Sequence, residues 1–302
     1  MKALPVVLVL LAMTAPSAVA DQEQVSVKVA DAYPYLCSGA LRYAQIADLE
    51  GGVITSSEGL VIAEKDLNEE IAKSPKSLLG EIEKYPIYAL EQAITRKLLA
   101  REAGDWAKKN GKKTASEKDL VQQYLSAQVP QSTVSDREVE EFYKERANMF
   151  GGAPFDQVES AIKSFLQDSK TAEAAREFAD LAGWRHKILV SSSWIKKEFD
   201  SWSKNPVEQA RVSGKPSFVN FGVTGCCDKM YPIVEEMRSK YGGGLNVVFI
   251  HVGKERILPE LYGIGSIPVQ IFFDKEGKEI FRHEGFLPKE QVVAKLRELG
   301  IE

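Results

Sequence analysis

The sequence predicts a multi-domain chain, with an all-α N-terminal half followed by a smaller α/β C-terminal half. Three observations carry that expectation. Across residues 21–200, apolar residues recur three and four apart with charged residues between them, the pattern of amphipathic helices. From residue 213 onward, short apolar runs punctuated by glycine and proline alternate with amphipathic stretches, as in an α/β domain. Between the two, residues 201–215 are polar, contain Pro206 and Gly214, and read as a linker. A chain of 302 residues, 44% of them apolar, has material for two cores and is not globally disordered.

Residues 1–20 stand apart. Lys2 is followed by the unbroken apolar run Val6–Met13, and Ala18-Val19-Ala20 is a small-x-small cleavage signature before Asp21. The run falls short of the ~20 apolar residues that span a bilayer. A cleaved secretory signal is the expectation, with an uncleaved N-terminal anchor as the alternative. Removal after Ala20 would place the protein in the periplasm or outside the cell, where disulfides persist.

The helical half then builds in order. A short extended piece, Gly59 to Ala63, precedes a helix starting near Asp66. Tyr88 to Ala107 sets Leu90, Ala93, Ile94, Leu98, Leu99, Ala103 and Trp106 on one side, with Glu91, Arg96 and Arg101 between them. Ser135-Asp136-Arg137-Glu138 is a capping box opening a helix with Val139, Phe142 and Tyr143 on one face. A further helix runs from about Phe155 to Leu166 and continues, after a break near Asp168, to Leu181.

In the second half, Ser217 to Phe221 is an apolar strand, and a turn at Thr224-Gly225 leads to a helix from about Cys227 to Tyr241. Leu245 to Val252 is a buried strand, and a short helix follows near Pro259–Tyr262. Val269–Phe273 and Glu279–Glu284 form a hairpin around Asp274–Gly277, and Pro288 to Leu299 closes the chain as a helix.

Composition removes several function classes. With 39 Lys+Arg against 43 Asp+Glu there is no basic excess to recruit nucleic acid. The three histidines are scattered, which argues against a multi-histidine metal centre, and no cofactor is expected. Three cysteines, Cys37, Cys226 and Cys227, are too few for a disulfide scaffold.

The landmarks of the second half resemble the thioredoxin family over about ninety residues. An apolar strand enters Phe221-Gly222-Val223, a cysteine-bearing turn opens a helix, and Lys229-Met230-Tyr231-Pro232 follows. Tyr262-Gly263-Ile264 and Ser266-Ile267-Pro268 match the family's element before its third strand, and Phe272-Phe273-Asp274 opens the terminal hairpin. The resemblance implies a cis peptide at Pro268, with Ile267 and Pro268 lining the substrate groove.

The cysteines depart from the family's Cys-x-x-Cys. Cys226 and Cys227 are adjacent, with Cα atoms about 3.8 Å apart across a trans peptide, below the usual disulfide range of about 4.4–6.8 Å. A disulfide between them would be strained and easily reduced. The family's buried acid six residues ahead is Asn220, and the aromatic before the first cysteine is Gly225. Three readings stay open: redox-active thiols, relics within a binding module, or a vicinal pair for a thiophilic metal. No metal is assigned. Cys37 reads as an independent, partly buried thiol, though it could pair with either of the others.

The helical half resembles the N-terminal chaperone domain of SurA/PrsA-type foldases. The resemblance rests on Glu64-Lys65-Asp66-Leu67, the long helix from Ala89 to Ala107, Ser116-Glu117-Lys118-Asp119-Leu120 and the run Val134 to Tyr143. Only Gly151-Gly152-Ala153-Pro154 separates Phe150 from Phe155, which leaves no room for the family's parvulin module, so prolyl isomerase activity is not expected. A plain helical spacer or dimerisation domain is the competing reading.

Together these features predict thiol-disulfide exchange on client polypeptides or a redox partner protein. Cys226 would attack, Cys227 would resolve, and the helical half would hold the client. The rival is a non-enzymatic chaperone or assembly factor on a redox-degenerate thioredoxin fold. Neither nucleic acid nor, after signal cleavage, membrane is an expected partner. His251, at the end of a strand, reads as an edge histidine satisfied by backbone or as a base. Trp184, Trp194 and Trp202 are expected to pack the junction.

Overall fold

The computed structural model describes residues 27–112, 116–146, 150–223 and 229–301. Residues 1–20, read above as a secretory signal, and Gly225, Cys226 and Cys227 lie outside these described residues.

The N-terminal half is predominantly helical, as predicted. After the short α1 (Val29–Ala32) and a tight helical turn at Ala40–Tyr43 come α2 (Glu64–Ala72), α3 (Leu79–Lys84) and α4 (Pro86–Asn110). Pro86 sits at the start of α4, where its missing N–H costs nothing, and Gly111 ends it with φ 60°. Next are α5 (Glu117–Gln128), α6 (Asp136–Glu145), α7 (Phe155–Asp180), α8 (Ala182–Arg185) and α9 (Ser192–Trp202). The Ser135 hydroxyl accepts from the Glu138 N–H, and the Glu138 carboxylate accepts from the Ser135 N–H at 2.9 Å. That is the predicted box. The expected break near Asp168 is absent: α7 is continuous, because Lys170, Ala172, Glu173, Ala174 and Ala175 are strong helix formers with no proline or glycine among them.

This half also carries a sheet, in the order β1-β4-β2-β3, built from β1 (Gln45–Ala47), β2 (Val53–Ser57), β3 (Leu60–Ala63) and β4 (Ile188–Ser191). Of these, the sequence announced only the piece at 59–63. The strands are three to five residues long, too short to set a period. β4 also joins strands far back in the chain, running parallel to β1 and antiparallel to β2.

Residues 201–215, read as a linker, contain α10 (Pro206–Arg211). The Asn205 side chain accepts from the amides of Val207 and Glu208, both at 2.9 Å, and Pro206 occupies the first helical position. The polar residues thus cap a helix, and Val207 and Trp202 are fully buried.

The C-terminal half is the α/β unit that the period change predicts. Its sheet runs β6-β5-β7-β8, from β5 (Ser217–Gly222), β6 (Asn246–His251), β7 (Val269–Phe273) and β8 (Glu279–Glu284). β5 pairs parallel with β6 and antiparallel with β7, and β7 pairs antiparallel with β8. Helices α11 (Met230–Tyr241) and α13 (Lys289–Glu298) cover one face, where Phe218 and Phe272 meet Met230, Met237, Val292 and Leu296. The other face presents Val219, Phe221, Ile271 and Phe273, because alternate residues of a strand point to opposite sides.

That second face is closed by α12 (Ile257–Leu261) and by the N-terminal half, in one continuous apolar core. Tyr35 stacks on Tyr262 at 5.3 Å, meets Phe273 edge-on at 5.7 Å, and donates to Glu279 at 3.2 Å. Trp202 also stacks on Tyr262, at 5.3 Å. Glu81 of α3 accepts from the backbone N–H groups of Arg256 and Ile257, placing a carboxylate at the start of α12. Arg176 of α7 pairs with Glu260 at 2.6 Å. Trp202 packs the junction as expected. Trp184 does not: it is 72% exposed.

Candidate functional site

β5 ends at Gly222, and the chain runs from Val223 through residues 224–228 to Lys229 and the head of α11. Two strands flank the described end of β5. On one side β6 ends with His251 in register with Gly222. On the other, Phe221 pairs with Val269, so the next step outward is Gly222 on one strand and Pro268 on the other. The Ile267–Pro268 peptide is cis, as the resemblance implied. The Gly285 amide donates to the Pro268 carbonyl at 2.8 Å, and the Ser266 hydroxyl donates to Glu284 at 2.9 Å, so the loop before β7 is pinned to the end of β8. Ile267 packs partly buried against the core. Of the predicted site residues, Ile267 and Pro268 thus lie beside the end of β5, one step beyond the Phe221–Val269 pair. Cys226 and Cys227 fall in the crossing from Val223 to Lys229, outside the described residues.

His251 accepts at Nδ1 from the Gly253 amide at 3.2 Å. Backbone satisfies it, as one of the two readings held. His283 lies 3.3 Å from the Phe286 carbonyl, and His186 sits between Glu58 and Glu102. Neither belongs to the crossing.

Two features were not foreseen. Near the head of α11, Tyr231 and Phe286 are half-exposed, and the Lys229 ammonium lies 5.9 Å from the Phe286 ring. Within the sheet, Asn220 and Gln270 face each other across β5 and β7, both fully buried, and the Gln270 amide donates to Asn220 at 3.0 Å. Gln270 interrupts an otherwise apolar strand, which was the available signal.

Cys37 is free and buried. Burial, and then the Glu91 carboxylate, push its thiol well above the ordinary range, so it stays protonated and a poor nucleophile. That accords with its reading as an independent thiol. Among the described residues no cluster of histidine, cysteine and carboxylate ligands could hold a metal ion, and no helix is long and apolar enough to cross a membrane.

The thioredoxin-like domain family matches residues 204–300. Thioredoxin Y of Oryza sativa is 35% identical over 103 residues, which are 33% of this chain and 58% of that protein. The thiol:disulfide interchange protein TxlA homolog of Synechocystis is 31% identical over 87 residues, 28% of this chain and 48% of that one. The chain thus spans only about half the length of these two relatives. Thioredoxin-like protein slr0233 of Synechocystis is 31% identical over 105 residues, 34% of this chain and 95% of that protein. With a relative of that identity matched nearly end to end, and with the strand order and cis-proline loop described above, the chain belongs to the thioredoxin-like family through its C-terminal half.

Proposed function

We propose that this protein carries out thiol-disulfide exchange on other proteins outside the cytoplasm, through Cys226 and Cys227. The thioredoxin-like relatives support a function of the thiol-disulfide oxidoreductase type. The observation that carries the reading is the register of β5 with β7. It sets Ile267 and Pro268 beside the strand end from which the chain enters the cysteine pair. The same crossing leads into the N-terminus of α11, where backbone amides and the helix dipole favour an anion, here a thiolate. Cys226 is the attacking thiol and Cys227 resolves or supports it; Ile267 and Pro268 line the client groove.

The helical half serves as the client-holding arm. Phe165 of α7 is 57% exposed and touches Phe142 of α6, an apolar surface on the arm formed by these helices. In this reading, 21–200 and 216–302 act as holder and reactor, and 1–20 directs export.

The test is trapping. The full chain carrying Cys226→Ser or Cys227→Ser is incubated with a disulfide-bonded model protein and analysed without reductant. A mixed disulfide formed by one variant and not the other assigns the roles. If neither variant forms an adduct, and the parent chain does not speed reduction of that disulfide by dithiothreitol, the exchange reading is lost.

A further inference from the structure

A cavity of about 280 Å³ lies where the two halves meet. Glu91 and Thr95, one turn apart on α4, line it together with Arg176 and Asp180 of α7, Gly39, and Glu260 of α12. Two carboxyls converge there. Asp180 Oδ1 and the Glu91 carboxyl carbon each lie 2.8 Å from the point where a Cβ would stand on Gly39, so only glycine leaves room for both. Burial holds both carboxyls above the ordinary range, and the Asp180 charge adds to the rise at Glu91.

The cations nearby are engaged elsewhere. Arg176 pairs with Glu260 at 2.6 Å, and Arg42 donates to the Tyr43 hydroxyl at 2.6 Å. Their pull on Asp180 is outweighed by its burial. Among the described residues Asp180 makes no hydrogen bond and no ion pair. It is also the last residue of α7, whose final turn holds no basic side chain, and a helix C-terminus favours positive charge. Two further atoms in the cavity lack partners. Glu91 is almost wholly buried and takes the Gly39 and Leu41 amides on Oε1, while no described donor completes a hydrogen bond to Oε2. Thr95 Oγ1 is screened from solvent and has no partner.

We propose that this cavity binds the ammonium group of a small primary amine. An ammonium carries three N–H donors, and Asp180 Oδ1, Glu91 Oε2 and Thr95 Oγ1 supply three acceptors in one cavity. A metal ion is the poorer fit, because no group of three histidine, cysteine or carboxylate ligands is placed to hold one among the described residues. The remaining volume takes a chain of a few carbons. Ser38, next to Gly39, donates to the Glu260 carbonyl at 2.8 Å, so the occupant would sit against a contact that joins the two halves. Neither cysteine of the 226–227 pair is needed for it.

Binding displaces a proton. Glu91 keeps its carboxyl proton up to about pH 7, and a cation beside it favours the ionised form. An alkylammonium, like a lysine side chain, stays charged throughout that range, so affinity rises with pH. The other charged or titratable groups about the pair are Tyr88 on α4, Arg176 and Glu177 on α7, Glu260 on α12, and Cys37 and Arg42 to either side of Gly39. Tyr88 and Cys37 are both raised and titrate above this window.

The experiment is isothermal titration of the full chain with n-butylammonium chloride at constant ionic strength. One site with a Kd of about 1 mM is expected at pH 8, weaker by at least about tenfold at pH 5. Asp180→Asn removes the free carboxylate and should weaken binding at least about tenfold at pH 8. Thr95→Val, the second variant in case the asparagine chain fails to fold, should weaken it about fivefold. Tetramethylammonium has the charge without N–H donors, and n-butanol has the chain without the charge; neither should bind. The proposal is overturned by the absence of saturable binding, by equal binding of tetramethylammonium, by an affinity that does not change from pH 5 to pH 8, or by binding that neither substitution weakens.

Discussion

Glu91 lies in the second turn of α4 with 4% of its surface exposed, and its Oε1 accepts from the amides of Gly39 and Leu41 at 2.9 and 3.1 Å. Burial is the largest influence on it and outweighs those two bonds; with the nearby Asp180 carboxylate, it raises the carboxyl from 4.5 to about 7. The folded protein therefore holds a proton here that the unfolded chain releases between about pH 4.5 and pH 7. Stability must fall as pH rises through that window, since the native state binds more protons there. At about 1.4 kcal/mol per pH unit, the displacement amounts to about 3 kcal/mol lost between pH 4.5 and pH 8. Glu91→Gln keeps an acceptor oxygen for both amides and removes the titration. Urea unfolding of parent and variant at pH 5 and pH 8 measures the effect. The variant should match the parent to within about 1 kcal/mol at pH 5 and exceed it by about 2–3 kcal/mol at pH 8. An equal loss between the two pH values in both proteins would refute the account, because the slope would then belong to other groups.

Other substitutions test separate elements. Gly183→Ala should destabilise by at least about 2 kcal/mol in thermal or urea unfolding although alanine favours helix, because the added Cβ would meet the Ala40 carbonyl oxygen at 2.0 Å. Tyr35→Ala removes the ring stacked on Tyr262 and should cost about 2–3 kcal/mol, while Tyr35→Phe, which loses the bond to Glu279 alone, should cost about 1 kcal/mol or less. Ser135→Ala should cost about 1 kcal/mol by uncapping α6, and helix-specific hydrogen exchange should show the loss confined to that end.

Much of the C-terminal half was readable because β5, β6 and β7 are mostly apolar runs bounded by a glycine or a turn, and β8 follows β7 across a tight turn. Ile267 and Pro268 were found by motif, and the register then gave them a place beside Gly222. Gln270 escaped notice because a lone polar residue in VQIFF says nothing until Asn220 is seen across from it. In the first half the helices were legible from spacing and caps. Its sheet was not, since Ile188–Ser191 becomes a strand only by meeting Gln45–Ala47 and Thr55–Ser57 far back in the chain. The segment 201–215 misled for a simpler reason: Asn205-Pro206 resembles a loop in composition but acts as a helix start. Trp184 misled in the opposite direction, because an aromatic near a boundary carries no information about which way it faces.

The closure of the second sheet face by Tyr35 and Trp202 bears on what can be separated. Val219, Phe221, Ile271 and Phe273 find part of their cover in residues that lie ahead of residue 204, where the family match begins. Cutting the chain there would strip that cover and leave a sticky sheet. The segments that share this core should therefore melt together, and the thioredoxin-like half is not a portable cassette that can be moved to another protein with its properties intact.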